Sequence, residues 1–196
     1  MKRQYGKIMQ RIAALMLAAF LCASPMAQAA TNTALGDIDG DTNDLGNSND
    51  FVLNTFVSEL QKRAFLTVGN TALTSGDTLP AGTSVDFLIY LNNEGAIDID
   101  DVGILDTLVG FTYVPNSLHV LNTTAACVGG CSLAQELTIY TNALAAGVKT
   151  DDPDDDEASF DGIDTVEVGN TVTTGNTRQD ALANFVLALV FTATLD

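Results

Sequence analysis

The chain has 196 residues and a formal net charge of −17, with 25 acidic residues against eight lysines and arginines. Charge of this sign repels phosphate backbones and anionic lipid surfaces, which argues against nucleic acid and membrane surfaces as partners. The length suffices for one domain with a substantial core and leaves little room for two.

The first 30 residues have the pattern of a secretory signal peptide. Four cations precede the apolar run IAALMLAAFLCAS, and the small residues AQAA follow it. The apolar run is shorter than the roughly 20 residues that a membrane span needs, and the later sequence offers no second candidate. We expect cleavage after Ala30 and export to the cell surface or medium. The mature chain then keeps four cations and all 25 acids, a formal charge of −21.

Residues 31–50 are rich in Gly, Asn, Asp and Thr, a composition that predicts a flexible arm. The next segment, FVLNTFVSELQKRAF, is ambiguous because its apolar residues fit both helical spacing and strand alternation. Leu53, Phe56, Val57, Leu60 and Ala64 follow the helical spacing, and Asn49 or Asp50 is a suitable cap. We expect a short helix at the entrance to a single domain that spans residues 51–196.

From Phe65 onward, short apolar runs alternate with turn signals at the spacing of an antiparallel β-sandwich. In SVDFLIYL, Val85, Phe87 and Ile89 share one apolar face while the opposite face is mixed, which predicts a strand with one side in the core. The runs LHVLNT, LTIYTNAL and DTVEVGNTVTT are also predicted strands. The closing run, FVLALVFTATL, is apolar on both faces and predicts a central or covered strand.

Cys127 and Cys131, in CVGGC, are the two cysteines of the mature chain. An exported pair with a Gly-Gly turn between its members suits a small disulfide loop that pins a hairpin tip. Two alternatives are a metal site, which normally needs four ligands and has no nearby histidine here, and a redox pair, which usually has two intervening residues.

Three acidic clusters suit calcium, which prefers oxygen ligands. One of them, DIDD, places Asp98, Asp100 and Asp101 in a predicted loop between strands, and the other two are longer. The first, DIDGDTND, departs from the EF-hand pattern because Thr42 stands where glycine is required and Ser48 where the bidentate glutamate is required. The second, DDPDDDEASFDGID, brings together carboxylates that repel one another unless they are hydrated or bridged. A hydrated loop without a cation fits both compositions equally well. The candidate calcium ligands are Asp37, Asp39, Asp41, Asp44, Asp151, Asp152, Asp154, Asp156 and Asp161.

Catalysis has little support in the sequence. His119 is the single histidine and lies in the alternating run LHVLN, where a half-buried strand residue is expected. No Gly-x-Ser-x-Gly elbow accompanies it. The chain has no tryptophan for a sugar-binding platform. We therefore predict that the protein is not an enzyme.

The segment DTLVGFTYVPNS, residues 106–117, predicts a strand end, a tight turn at Gly110, a second strand and a stop at Pro115. Together with the preceding turn and strand it resembles the conserved repeat domain of prokaryotic surface proteins known as domain of unknown function 11. In that family the glycine follows the Asp-Thr-Leu segment after a proline and a small residue, whereas Val109 alone precedes it here. The matching residues are Pro80, Gly82, Val85, Phe87, Ile89, Asn92, Asn93, Gly95, Val102, Asp106, Thr107, Leu108, Gly110, Tyr113, Val114, Pro115, Asn116 and Ser117.

The resemblance implies an immunoglobulin-like β-sandwich of about seven to nine strands in an extracellular, structural or adhesive setting. We expect a subunit of a cell-surface, matrix or filament assembly, in which the arm adds a strand to a neighbouring copy and calcium stabilises the contact. The alternative is a calcium-dependent adhesion module that recognises a glycan or another protein.

Overall fold

The computed structural model describes residues 58–170 and 175–196, and, for the chain before them, the backbone of four short strands. The chain divides into two compact units at Ser58, seven residues after the predicted domain boundary. In the first unit, β1 (Ala29–Asn32) pairs antiparallel with β4 (Phe51–Asn54), and β2 (Leu35–Gly36) pairs with β3 (Gly46–Asn47). The rest of the predicted leader and arm lies outside the described residues.

In its described residues, the second unit contains nine strands and one helix. The strands are β5 (Ser58–Leu66), β6 (Thr71–Ala72), β7 (Ser84–Asn93), β8 (Ile104–Thr107), β9 (Phe111–Tyr113), β10 (His119–Ala125), β11 (Ala158–Phe160), β12 (Thr165–Val168) and β13 (Phe185–Leu195), and the helix is α1 (Leu133–Leu144). The all-β class and the predicted strand number are therefore confirmed.

The larger sheet has the order β10-β13-β7-β5-β6, and β9 pairs with the far end of β13. All its pairs are antiparallel. Its longest ladder joins β7 to β13, from Ser84 opposite Thr194 to Asn93 opposite Phe185. The smaller sheet has the order β11-β12-β8. A hydrophobic core that includes Phe87, Leu189 and Val166 lies between the two sheets.

Helix α1 covers the opposite face of the larger sheet, where a second core includes Phe65, Leu88, Tyr140 and Val190. The helix corrects the prediction that LTIYTNAL is a strand. It begins at a capping box in which Gln135 donates its backbone N–H to the Ser132 hydroxyl while the Ser132 N–H donates to the Gln135 side chain. Because the helix covers it, the mixed face of β7 is buried as well, whereas the alternation predicted one buried side.

The segment at residues 51–65 also differs from the prediction of a helix. Its described parts are strands, β4 and most of β5. The ten-residue β7 offers β5 a long antiparallel partner, with Ser58 opposite Asn93 and Leu66 opposite Val85. The apolar residues of this segment fit helical spacing and strand alternation about equally well, and pairing with so long a partner favours the strand.

The segment DTLVGFTYVPNS has the predicted scaffold conformation. Strand β8 ends at Thr107, Gly110 adopts a φ of +74°, and β9 follows directly. Asn116 also adopts a left-handed φ, of +58°, a conformation that asparagine tolerates better than most residues. In the described part of the chain, no helix is long and apolar enough to cross a membrane.

The three tyrosines after the leader are all buried, and each donates its hydroxyl to a carboxylate. Tyr90 donates to Glu136, Tyr113 to Asp151 and Tyr140 to Asp86, at 2.9, 2.5 and 2.6 Å respectively. Burial first, and then the hydrogen bond to a negative acceptor, raise the pKa of each phenol.

We expect the folded chain 31–196, whose three tyrosines are these buried ones, to show no phenolate signal near pH 10, the ordinary tyrosine pKa. Because the native pKa values are raised, the contribution of these phenols to the free energy of unfolding is fully present below about pH 10, the pKa of tyrosine in the unfolded chain. This contribution is lost as pH rises further, because the unfolded chain ionises before the folded one. Ultraviolet absorbance and circular dichroism, recorded together in an alkaline titration, test this. Phenolate absorbance that appears near pH 10 while the fold is intact would contradict it.

Candidate functional site

Strand β5 has an open edge. On one side it pairs with β7 along its whole length, but on the other side β6 pairs only with Phe65 and Leu66. Next to these pairs, the Leu73 N–H donates to the Ala64 carbonyl at 2.8 Å. Within residues 58–170 and 175–196, no strand pairs with the outer edge from Ser58 to Arg63. This stretch is a sheet edge that another strand can extend.

The direction of the exposed peptide groups follows from the ladder. Since the Ala64 carbonyl points outward to Leu73, alternation along the strand also turns the N–H and C=O of Lys62 and Leu60 outward. The side chains of the same residues lie on the face that packs toward the smaller sheet. Leu60 is 58% exposed there, so the edge combines an exposed apolar side chain with backbone groups that no described strand pairs with.

Lys62 fixes the edge strand to the smaller sheet. Its ammonium nitrogen lies 2.7 Å from both carboxylate oxygens of Asp106, on β8, and 4.5 Å from the centre of the Phe87 ring. The Asp106 side chain is 14% exposed, so the ion pair is partly shielded from water. The pair ties β5 to the opposite layer of the sandwich without occupying its outward peptide groups.

Arg63 fixes the same strand to the helix. Its Nε donates to Glu136 Oε1 at 2.8 Å, and the Tyr90 hydroxyl donates to the same oxygen at 2.9 Å. The Glu136 side chain is only 3% exposed. A buried carboxylate needs such partners because its own desolvation is costly. β5 is therefore held from both faces while its outer edge stays open.

Two grooves flank the open edge. One, of about 380 Å³, is lined by Lys62, Arg63, Thr74, Ser75 and Asp77 and by the apolar side chains of Ala64, Leu73, Leu79 and Phe87. The other groove shares part of this lining and adds Ala72 and, on the helix side, Cys131, Leu133 and Glu136. The shared residues are Arg63, Ala64, Leu73, Thr74 and Ser75. Apolar lining on both faces suits a strand that carries apolar side chains on both of its faces.

The candidate calcium ligands of the first cluster, Asp37, Asp39, Asp41 and Asp44, lie outside the described residues. The second cluster spreads over different partners. Asp151 accepts from Tyr113 and Asn116, Asp154 from Gly175, Asp156 from Thr150 and Ala158, and Asp161 from Ile163, Asp164 and Thr165, whereas Asp152 lies in the turn after Asp151.

The carboxylates of the second cluster thus satisfy local backbone and side-chain donors. Burial alone would raise the pKa of Asp161, but backbone N–H groups of Thr165, Ile163 and Asp164 outweigh it and lower that pKa below its usual range. No three acidic, histidine or cysteine residues converge on one point in the described part of the chain. Calcium binding therefore stays a prediction.

Cys127 and Cys131 form the predicted disulfide, with 5.0 Å between their Cα atoms. The loop lies between β10 and α1 and not at the tip of a hairpin. Asn92, at the end of β7, holds it by exchanging two hydrogen bonds with the backbone of Cys127, each 2.9 Å long. Glu94 accepts from the N–H groups of Gly129 and Gly130. The disulfide loop thereby fixes the start of the helix beside the edge of β5.

His119 opens β10 and is half-buried, as its alternating run predicted. Its Nδ1 lies 3.0 Å from the Ala146 carbonyl oxygen, and its backbone forms a bridge with Val148. These contacts connect the end of α1 to the sheet, which is a structural role.

No protein-family model, curated protein or solved structure matches this chain.

Sequence reasoning did not find the open edge. The signals that were present are the charged run Lys62-Arg63, typical of an edge strand, and the short run TAL between turns, which limits how far β6 can extend. Neither shows which strand lies beside which, so the edge follows only from the pairing.

Replacement of Glu136 by alanine should lower the free energy of unfolding by about 2 kcal/mol, because the buried Tyr90 hydroxyl and the Arg63 guanidinium lose their acceptor. Urea denaturation of Glu136→Ala measures the loss. The control is Glu59→Ala on the exposed start of β5, which should change stability by no more than about 0.5 kcal/mol. Equal effects of the two substitutions would contradict the anchoring role of Glu136.

Proposed function

We propose that the protein is an extracellular structural subunit that assembles with copies of itself by strand addition at the open edge of β5. The observation that carries this proposal is the row of outward peptide groups at Leu60 and Lys62, which no described strand covers. Addition of a strand at such an edge satisfies these groups with main-chain hydrogen bonds and extends the sheet.

The surroundings of the edge support a role in association. Soluble proteins often protect an edge strand with a cover, a bulge or charged side chains, and Lys62 and Arg63 are charges of this kind. Both cations are nevertheless engaged on the faces of the sheet, with Asp106 and Glu136, and Leu60 on the same strand is exposed. A rigid, uncovered edge with apolar flanks is suited to receive a strand.

The chain before Ser58 is the proposed source of that strand. It contains the arm and strand β4, and the expected cleavage after Ala30 exposes it outside the cell. The resemblance to prokaryotic surface domains fits the same setting. Since each mature copy carries a formal charge of −21, we propose that calcium at the acidic clusters reduces the repulsion between copies.

We expect the chain 31–196 to form ordered filaments or sheets and the chain 58–196 to remain monomeric. We expect the shorter chain to keep its fold, because it contains all the residues that form the two hydrophobic cores in the described part of the chain. Negative-stain electron microscopy and light scattering, in millimolar calcium and then with a chelator, compare the two chains.

Assembly of the shorter chain to the same extent would refute strand addition from the N-terminal segment. Monomeric behaviour of the chain 31–196 in both conditions would refute the structural role itself. Loss of the assemblies on chelation would assign the acidic clusters to assembly, whereas their persistence would remove calcium from the proposal.

A further inference from the structure

We infer that strand β4, Phe51–Asn54, of a second copy is the strand that pairs with the open edge of β5. This inference rests on the function proposed above and names the donor segment. It predicts a head-to-tail contact in which every copy gives β4 to one neighbour and accepts β4 from another. Because donor and acceptor surfaces differ, repetition of the contact builds a ring where the rotation between copies closes and a filament where it does not.

The residues around the open edge of β5 determine which side chains a donated strand must carry. On one face, the edge of β5 borders a groove whose apolar lining is Ala64, Leu73, Leu79 and Phe87, and on the other it borders Cys131 and Leu133, while polar side chains such as Thr74 and Ser75 line both grooves as well. Alternate side chains of an added strand point to opposite faces. A matching donor therefore needs apolar residues at consecutive positions, so that both faces are apolar.

Among residues 31–57, the sequence FVLN best meets this requirement. Phe51, Val52 and Leu53 are consecutive and apolar, whereas residues 31–50 contain only four apolar side chains, Ala34, Leu35, Ile38 and Leu45, interspersed with acids and amides. Asp50 and the acids before it precede β4 directly. Their position leaves Phe51, Val52 and Leu53 as an uninterrupted apolar run.

The backbone of β4 is already extended and has an edge to offer. Its partner among the described strands is β1, with Ala29 opposite Asn54, Ala30 opposite Leu53 and Asn32 opposite Phe51. The expected cleavage after Ala30 removes Ala29 and Ala30, and with them the partners of Asn54 and Leu53. Cleavage during export would thus remove the β1 partners of two of the four residues of β4.

Three chains that begin at Thr31, Phe51 and Ser58 and end at Asp196 test the inference. Those that begin at Thr31 and Phe51 should assemble, and the one that begins at Ser58 should not. Added in excess to the longest chain, the Ser58 chain should shorten the filaments, because it accepts a strand but donates none. In the longest chain, Leu53→Asp should raise the concentration needed for assembly by about tenfold or more, since it places a charge in an apolar contact.

A cross-link locates the contact directly. Chains with Leu53→Cys and chains with Leu60→Cys, mixed and treated with a short bis-maleimide, should give covalent heterodimers, since the native cysteines are joined to each other. The control replaces Leu60→Cys by Ile163→Cys, on a loop of the smaller sheet where the side chain is more exposed than Leu60, and should give none.

The outcomes separate this inference from the proposed function. Assembly by the Thr31 chain but not by the Phe51 chain would place the donor within residues 31–50 and overturn the inference alone. A further chain carries both Leu53→Cys and Leu60→Cys. If its cross-link forms within a monomer, β4 pairs with β5 of the same chain, and the inference is overturned. If the Thr31 chain fails to assemble, the proposed function fails first.

Discussion

The antiparallel ladder between β7 and β13 is the constraint on which the rest of the sandwich depends. Both strands are buried on both faces, by the smaller sheet on one side and by α1 on the other. β5 on one flank, and β9 and β10 on the other, take their positions from this pair. Covering both faces removes two sets of apolar side chains from water and leaves only the flanks of the sheet to vary.

In β5, at one flank of the larger sheet, the side chains and the outer peptide groups have different roles. Its side chains hold it in place, through Lys62 to the smaller sheet and through Arg63 to the helix, while its outer peptide groups are left for another strand. A strand fixed in advance loses little conformational freedom when a partner binds, so more of the pairing energy stabilises the contact. The buried Glu136 therefore affects the edge without touching its outer side.

Local sequence patterns correctly predicted the elements whose burial follows from their own residues. FVLALVFTATL is apolar on both faces and is a central strand, and Gly110 marks the turn that it makes. LTIYTNAL was wrongly predicted as a strand because Thr138, Ile139 and Thr141 favour strands, although the capping box at Ser132 and Gln135 signals a helix. The open edge of β5 depends on how far β6 extends along it. This extent is a property of the pairing between two segments, so the sequence of either segment alone does not predict it.

The directions of the outer strands determine how the sandwich carries tension. β5 and β13 both run antiparallel to β7, with Ser58 and Phe185 at the level of Asn93, and with Leu66 and Ala193 at the level of Val85. The beginning of β5 and the end of β13 therefore lie at opposite ends of the sheet. Force applied between Ser58 and Asp196 acts along the strands, across hydrogen bonds that run perpendicular to them. The bonds of both ladders then share the load simultaneously in shear, and the sheet resists stretching more strongly than it would if it were peeled open one bond at a time.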